Sequence, residues 1–194
     1  MKERSAKAEG VIDCAMALLR NEGDRGVTMR RVAQNAGMSL SNVQYYFKNK
    51  DALLKAMADR YFYQCLEDIE GEQFLFETGD TKAALRLVIR NFLAHGLEVS
   101  DMCRVFREYW ALATRNAEIE DYLVNYYSRL AAVLKEKLRP LAVDELALDE
   151  AVSMFIPVVE GYSITCPALP IDIDRMTELT ADLLLSVLHR ERYL

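Results

Sequence analysis

Apolar positions recur at three- and four-residue intervals along nearly the whole chain, and that period predicts helices. Val11, Ala15, Leu18 and Leu19 form a first stripe, which Gly23 stops at a position suited to a left-handed cap. Thr28 is placed to cap a short helix, MRRVAQNAG, ending at Gly37, and Ser39 to cap a second, LSNVQYYF. Asn49 caps a longer one, from Lys50 to about Gly71. Leu85, Val88, Phe92 and Leu93 mark a fifth helix, and Ser100 or Asp101 begins a sixth through Phe106 and Trp110. Asn116 opens a seventh that stops before Pro140. An eighth runs from about Leu146 to Thr165, with Pro157 expected to kink it, and Asp172 caps a ninth. No Asn-Gly or Asp-Gly hairpin signal interrupts the series. The expected fold class is therefore all-α, with about nine helices.

Composition alters this picture in two places. The chain has 194 residues and a net charge of −6, which argues against a polyanion partner until the charge is divided. Residues 1–50 hold nine Lys/Arg against five Asp/Glu, or +4; residues 51–194 hold 15 against 25, or −10. Only the N-terminal end is suited to nucleic acid. No stretch approaches the roughly 18 uncharged apolar residues of a membrane span, and the polar start MKERSAKAEG lacks a signal-peptide pattern. No membrane association and a cytoplasmic location are expected. Cys14, Cys65, Cys103 and Cys166 are widely spaced, without the spacing of a metal site or disulfide framework.

Residues 28–47, TMRRVAQNAGMSLSNVQYYF, carry the most chemistry. Two short helices that cross steeply need a small residue at the crossing, which Ala33 supplies. Their turn needs a residue tolerant of positive φ, which Gly37 supplies. Val32, Ala36, Met38 and Val43 then face a supporting helix, with the ring of Tyr46 beside them. The second helix exposes Ser39, Leu40, Ser41, Asn42, Gln44 and Tyr45. In a major groove, Asn and Gln pair bidentately with adenine and Leu40 meets a thymine methyl. Arg30, Arg31, Lys48 and Lys50 flank the helix and suit phosphates, as do the phenols of Tyr45 and Tyr46. Two core-packing helices would share the apolar pattern, so a purely structural role stays open on spacing alone.

The segment resembles the DNA-binding domain of the TetR family in Thr28, Ala36-Gly37, Met38-Ser39, Tyr45-Tyr46-Phe47, Lys50 and Leu53-Leu54. The specific resemblance covers about residues 5–60; beyond it, helix number and layout agree. It implies an N-terminal three-helix helix-turn-helix domain, residues 1–50. A larger helical ligand-binding and dimerisation bundle would follow, residues 51–194, with the helix at about 50–71 joining the two. It implies that Thr28 and Arg30 contact phosphates, that Leu40, Ser41, Asn42 and Gln44 face bases, and that Tyr45, Tyr46 and Lys50 hold the backbone. Ser41, Gln44 and Tyr46 depart from the family's frequent Gly or Pro, Tyr and His; the Gln44 change bears on which operator is read.

The resemblance also implies a homodimer through about residues 145–165 and 172–190, and a small-molecule effector held within helices five to eight. Candidate lining residues are Phe92, His95, Phe106, Tyr109 and Trp110, then Tyr126, Tyr127, Met154, Glu160 and Tyr162; each also reads as ordinary core. Glu160 follows Pro157-Val158-Val159 in an apolar helix, where a carboxylate must be paired or protonated. It suits a cationic ligand, or a salt bridge to Arg104, Arg107 or Arg129; those arginines equally suit an anionic ligand. The function expected is a transcriptional repressor that binds a palindromic operator as a homodimer and is released by a ligand. The alternative is a helical small-molecule-binding or scaffold protein with lost or non-specific DNA binding. No nucleophile elbow, P-loop, dinucleotide fingerprint or metal-ligand spacing points to an enzyme, and no cofactor is expected.

Overall fold

The computed structural model describes residues 2–72, 74, 76, 80–98 and 100–190; the side chains of residues 2–5, 61, 95–98 and 100–106 lie outside that description. The described residues form nine α-helices and no strand. They are α1 (Lys2–Glu22), α2 (Met29–Asn35), α3 (Leu40–Tyr46), α4 (Lys50–Gly71) and α5 (Thr81–Glu98), then α6 (Ser100–Ala113), α7 (Ala117–Leu138), α8 (Glu145–Thr165) and α9 (Ile173–His189). The caps read from sequence are in place. Thr28 Oγ1 accepts from Arg31 N, Ser39 Oγ from Asn42 N, Asn49 Oδ1 from Ala52 N, and Asp172 Oδ1 from Arg175 N. Each satisfies a backbone N–H that its helix leaves open. Asp80 and Asp144 cap α5 and α8 in the same way.

The chain divides into two compact units. The first comprises Met1–Glu67 with Arg104–Tyr126, so the helix-turn-helix shares its unit with most of α4, the end of α6 and the start of α7. Here α2 and α3 pack on each other and on α1. Gly37 adopts φ +64°, as its turn requires, while Met38 N reaches back to Ala33 O at 2.9 Å. Val32, Ala33 and Val43 are buried, whereas Ala36, Met38 and Tyr46 are only half-buried. Phe62 of α4, fully buried, lies 4.7 Å from the ring of Tyr126 and 5.4 Å from that of Tyr109, centroid to centroid. The Tyr109 hydroxyl donates to Leu54 O at 2.8 Å, so this ring cluster is core with its polar atom satisfied.

The second unit comprises Asp68–Cys103 with Tyr127–Leu194. In it α5, α8 and α9 pack against one another. Leu85, Ile89 and Leu93 of α5, Ala147, Leu148, Ala151, Val152 and Phe155 of α8, and Ala181, Leu184 and Leu188 of α9 are buried. A rail of ion pairs sets the register of α5 on α9: Lys82 with Asp182, Arg86 with Glu178 and Arg90 with Asp174, one helical turn apart each time.

Helix α5 runs through Gly96 to Glu98, which leaves His95 in its last turn. Residues 145–168 are long and apolar enough to cross a membrane by length and composition, although Glu160 keeps the uncharged apolar run well short of 18 residues, as read from sequence. Glu160 and Pro157 interrupt the apolar run there without lowering its average enough to exclude it. Helix α8 passes unbroken through Pro157 and belongs to the three-helix packing just described. Yet only 22% of the apolar window is buried within this chain. Leu146, Ser153, Pro157 and Ile164, at helical spacings of seven, four and seven, stay exposed along one stripe.

Candidate nucleic-acid interface

Helix α3 has seven residues and buries one of them, Val43. Val43 anchors the helix, and the rest of its length is left for contacts outside the chain. Ser41, Asn42, Gln44 and Tyr45 are exposed, and Leu40 is half-exposed. Ser39 Oγ caps the helix and lies 3.0 Å from Ser41 Oγ, so both hydroxyls are oriented before any partner arrives. Tyr45 and Tyr46 meet edge to face at 5.3 Å, the first exposed and the second half-buried. The bases expected to be read by Asn42 and Gln44 would meet side chains whose amides have no hydrogen-bond partner among the described residues.

The four flanking cations divide into two pairs. Arg30 and Lys48 are exposed and form no ion pair among the described residues. Arg31 and Lys50, expected from sequence to clamp phosphates, are instead held by an acid at the end of α1 and one in the turn after it. Arg31 Nη1 donates to Glu22 Oε2 at 2.5 Å and Nη2 to Glu22 Oε1 at 2.6 Å, a fork on a fork. These hydrogen bonds hold the Glu22 carboxyl below the usual carboxylate range and raise the Arg31 guanidinium. Lys50 Nζ lies 2.5 Å from Asp24 Oδ1 and donates to Asp24 O at 2.9 Å.

Asp24 is the more deeply set acid. Arg115 Nη2 donates to its Oδ2 at 3.2 Å, and its backbone N donates to Glu108 Oε2 at 3.1 Å. Burial raises the Asp24 carboxyl, but Lys50 and Arg115 together outweigh it and leave it below its ordinary value. The same Glu108 carboxylate stands 3.2 Å from where a Cβ on Gly23 would lie, and Gly23 is at φ +69°. A side chain there would be both crowded and strained. Glu108 and Arg115 thus tie the turn between α1 and α2 to α6 and the α6–α7 corner, all within one unit. The sequence reading missed these two residues, because their partners lie 84 and 91 positions away.

The candidate ligand residues fall into both units. Tyr109 and Tyr126 are core around Phe62, and burial pushes the Tyr109 hydroxyl above the ordinary phenol range; Trp110 is exposed on α6. In the second unit, Phe92 packs edge to face on Phe155 at 5.4 Å, Met154 is half-buried and Tyr162 is buried. The side chains of His95 and Phe106 lie outside the described residues. Glu160 is half-buried, and its Oε1 accepts from the Tyr127 hydroxyl at 2.9 Å. Among the described residues its partner is thus a phenol rather than Arg107 or Arg129, and the Arg104 side chain lies outside the description. Burial raises its carboxyl above the ordinary value, against the opposing pull of Tyr127.

Comparison with known proteins adds the following. The model of bacterial regulatory proteins of the tetR family matches residues 11–57. An HTH-type transcriptional regulator in the dhlA 5' region of Xanthobacter autotrophicus is 53% identical over 186 residues, covering 96% of this chain and 92% of that protein. A TetR-family regulator from Mesorhizobium loti superposes with a TM-score of 0.78 at 19% identity, covering 95% of this chain and 97% of the other. SmeT, the repressor of a multidrug efflux pump of Stenotrophomonas maltophilia, was solved with triclosan and has a TM-score of 0.66 at 19% identity. That match covers 93% of this chain and 90% of the other.

Proposed function

Since this chain belongs to the TetR family of bacterial regulatory proteins and is a DNA-binding transcriptional regulator, we propose that it represses by binding a palindromic operator as a homodimer and is released by a small molecule. The observation that carries the reading is α3: one buried anchor, Val43, and an exposed polar face of Ser41, Asn42, Gln44 and Tyr45 between Arg30 and Lys48. Asn42 and Gln44 read bases; Thr28, Ser39, Tyr45, Tyr46, Arg30 and Lys48 fix the helix on phosphates.

One such helix offers few base contacts, and a two-fold pair doubles them on a palindrome. The dimer is supported by the exposed stripe of α8 and by exposed Leu179 on α9, apolar surface that a partner copy would cover. Release by a ligand is supported by Glu160, a half-buried carboxyl in the apolar half of α8 whose partner among the described residues is the Tyr127 phenol, and by the triclosan bound in the neighbour SmeT. A ligand relieves repression only if it binds the DNA-free state more tightly than the DNA-bound one.

The test is selection of bound duplexes from a random pool, followed by sequencing, with protein refolded to remove any carried ligand. An enriched palindrome is expected. Failure to enrich any sequence with the refolded protein would overturn the reading in favour of a helical protein that binds DNA weakly or without preference.

A further inference from the structure

We propose that Glu22 acts as an internal phosphate surrogate, competing with the DNA backbone for the Arg31 guanidinium and thereby restraining affinity for duplexes of any sequence. Arg31 sits in the first turn of α2, beside Arg30 and with its backbone N bonded to the capping Thr28, in the helix that packs on α3. Both forks of its guanidinium are taken by both oxygens of Glu22, at 2.5 and 2.6 Å. That planar two-pronged geometry is the one guanidinium offers equally to a carboxylate or a phosphate.

The pair is placed where it can exchange. Each side chain is 43% exposed, so neither charge is trapped by burial. Exposed ion pairs hold weakly and are screened by salt. Glu22 is the last residue of α1 and Arg31 lies in the first turn of α2, so each charge sits at the end its own helix dipole disfavours. The arrangement therefore does not serve the stability of either helix. The neighbouring acid behaves differently. Asp24, with only 20% of its side chain exposed, is shared by Lys50 and Arg115 and bonded through its backbone to Glu108. Lys50 is fixed in the frame, while Arg31 is held in reserve.

The measurement is binding of the full chain to a mixed-sequence duplex over a range of salt, by fluorescence anisotropy, for the wild type, Glu22→Gln, Arg31→Ala and the double variant. Glu22→Gln is expected to bind up to about fivefold tighter at low salt. Its plot of log affinity against log salt should steepen by up to about 0.9, because no freed carboxylate takes up a cation when Arg31 moves to a phosphate. On the Arg31→Ala background the same change should lose most of that gain. An unchanged affinity and slope for Glu22→Gln would overturn the proposal. So would an equal gain without Arg31, since that reads only the loss of a negative charge near DNA. Glu22→Ala, which leaves no amide for Arg31 to bond, must reproduce the gain, and melting of each variant separates it from any loss of fold.

Discussion

Helices α3 and α8 leave opposite kinds of surface uncovered. Helix α3 buries one residue of seven and turns amides, hydroxyls and a phenol outward. Helix α8, three times as long, buries Ala147, Leu148, Ala151, Val152, Phe155 and Tyr162 yet still exposes Leu146, Pro157 and Ile164. Packing alone would make the first a poor helix and the second a wasteful one. A helix of seven residues is marginal by itself, and it persists because Val43 and the caps of Ser39 and Phe47 dock it on α1 and α2. Exposed apolar side chains contribute nothing to the chain's own stability. The uncovered face of each helix marks what it meets: directional polar groups suit base edges, and non-directional apolar ones suit a second copy.

The largest expected effect comes from putting a charge on the apolar side. Ile164→Glu would place an unpaired carboxylate in the proposed dimer interface, at a cost of about 3 kcal/mol, or roughly a hundredfold in the dimer dissociation constant. Sedimentation should show monomer where the wild type sediments as a dimer, and operator binding should fall with it. A dimer of unchanged strength would remove α8 from the interface.

On the polar side the effect is smaller and selective. Gln44→Ala and Asn42→Ala are each expected to lose about 1–3 kcal/mol of discrimination at one half-site position, with little change in binding to unrelated duplexes. Lys48→Ala should do the reverse. It should weaken all duplexes alike and flatten the salt slope by about 0.9 without altering the selected sequence. If Lys48→Ala changed base preference, or Gln44→Ala changed only the slope, the division of α3 and its flanks into reading and clamping groups would be mistaken.

How far each region was legible in the sequence follows from the range of its interactions. The caps at Thr28, Ser39, Asn49, Asn116 and Asp172 bond three residues ahead, and a local pattern contains both partners. Gly37 and Ala33 were legible for the same reason: the turn is short and its geometry demands them. The clamp on Arg31 reaches back nine residues, and those on Lys50 and Arg115 span 26 and 91. No periodicity signals such contacts, so two of the four expected phosphate clamps are found already engaged. The aromatic stripe was ambiguous in another way. Tyr109 and Tyr126 were candidates for the lining that read more readily as core, and their packing on Phe62 and the bond from Tyr109 to Leu54 O place them in the core.

Glu160 gives the smallest effect and tests how α8 tolerates a half-buried acid. A carboxyl whose folded value is raised is bound more tightly by its proton in the folded state than in the unfolded one. Its contribution to stability is therefore fully present below its ordinary value of 4.5 and is lost as pH rises through the raised folded value. Above that value a charged Glu160 is a liability, offset only by the hydroxyl of Tyr127. Glu160→Gln keeps an oxygen to accept from Tyr127 and cannot ionise. The variant should melt above the wild type near neutral pH, by a few degrees at most, and the gap should close as pH falls toward 4.5. Comparing the two proteins at each pH cancels the titration of the acids they share. A gap that is constant with pH would mean the carboxyl is as well solvated in the fold as outside it, and α8 would then carry no desolvated acid for a ligand to meet.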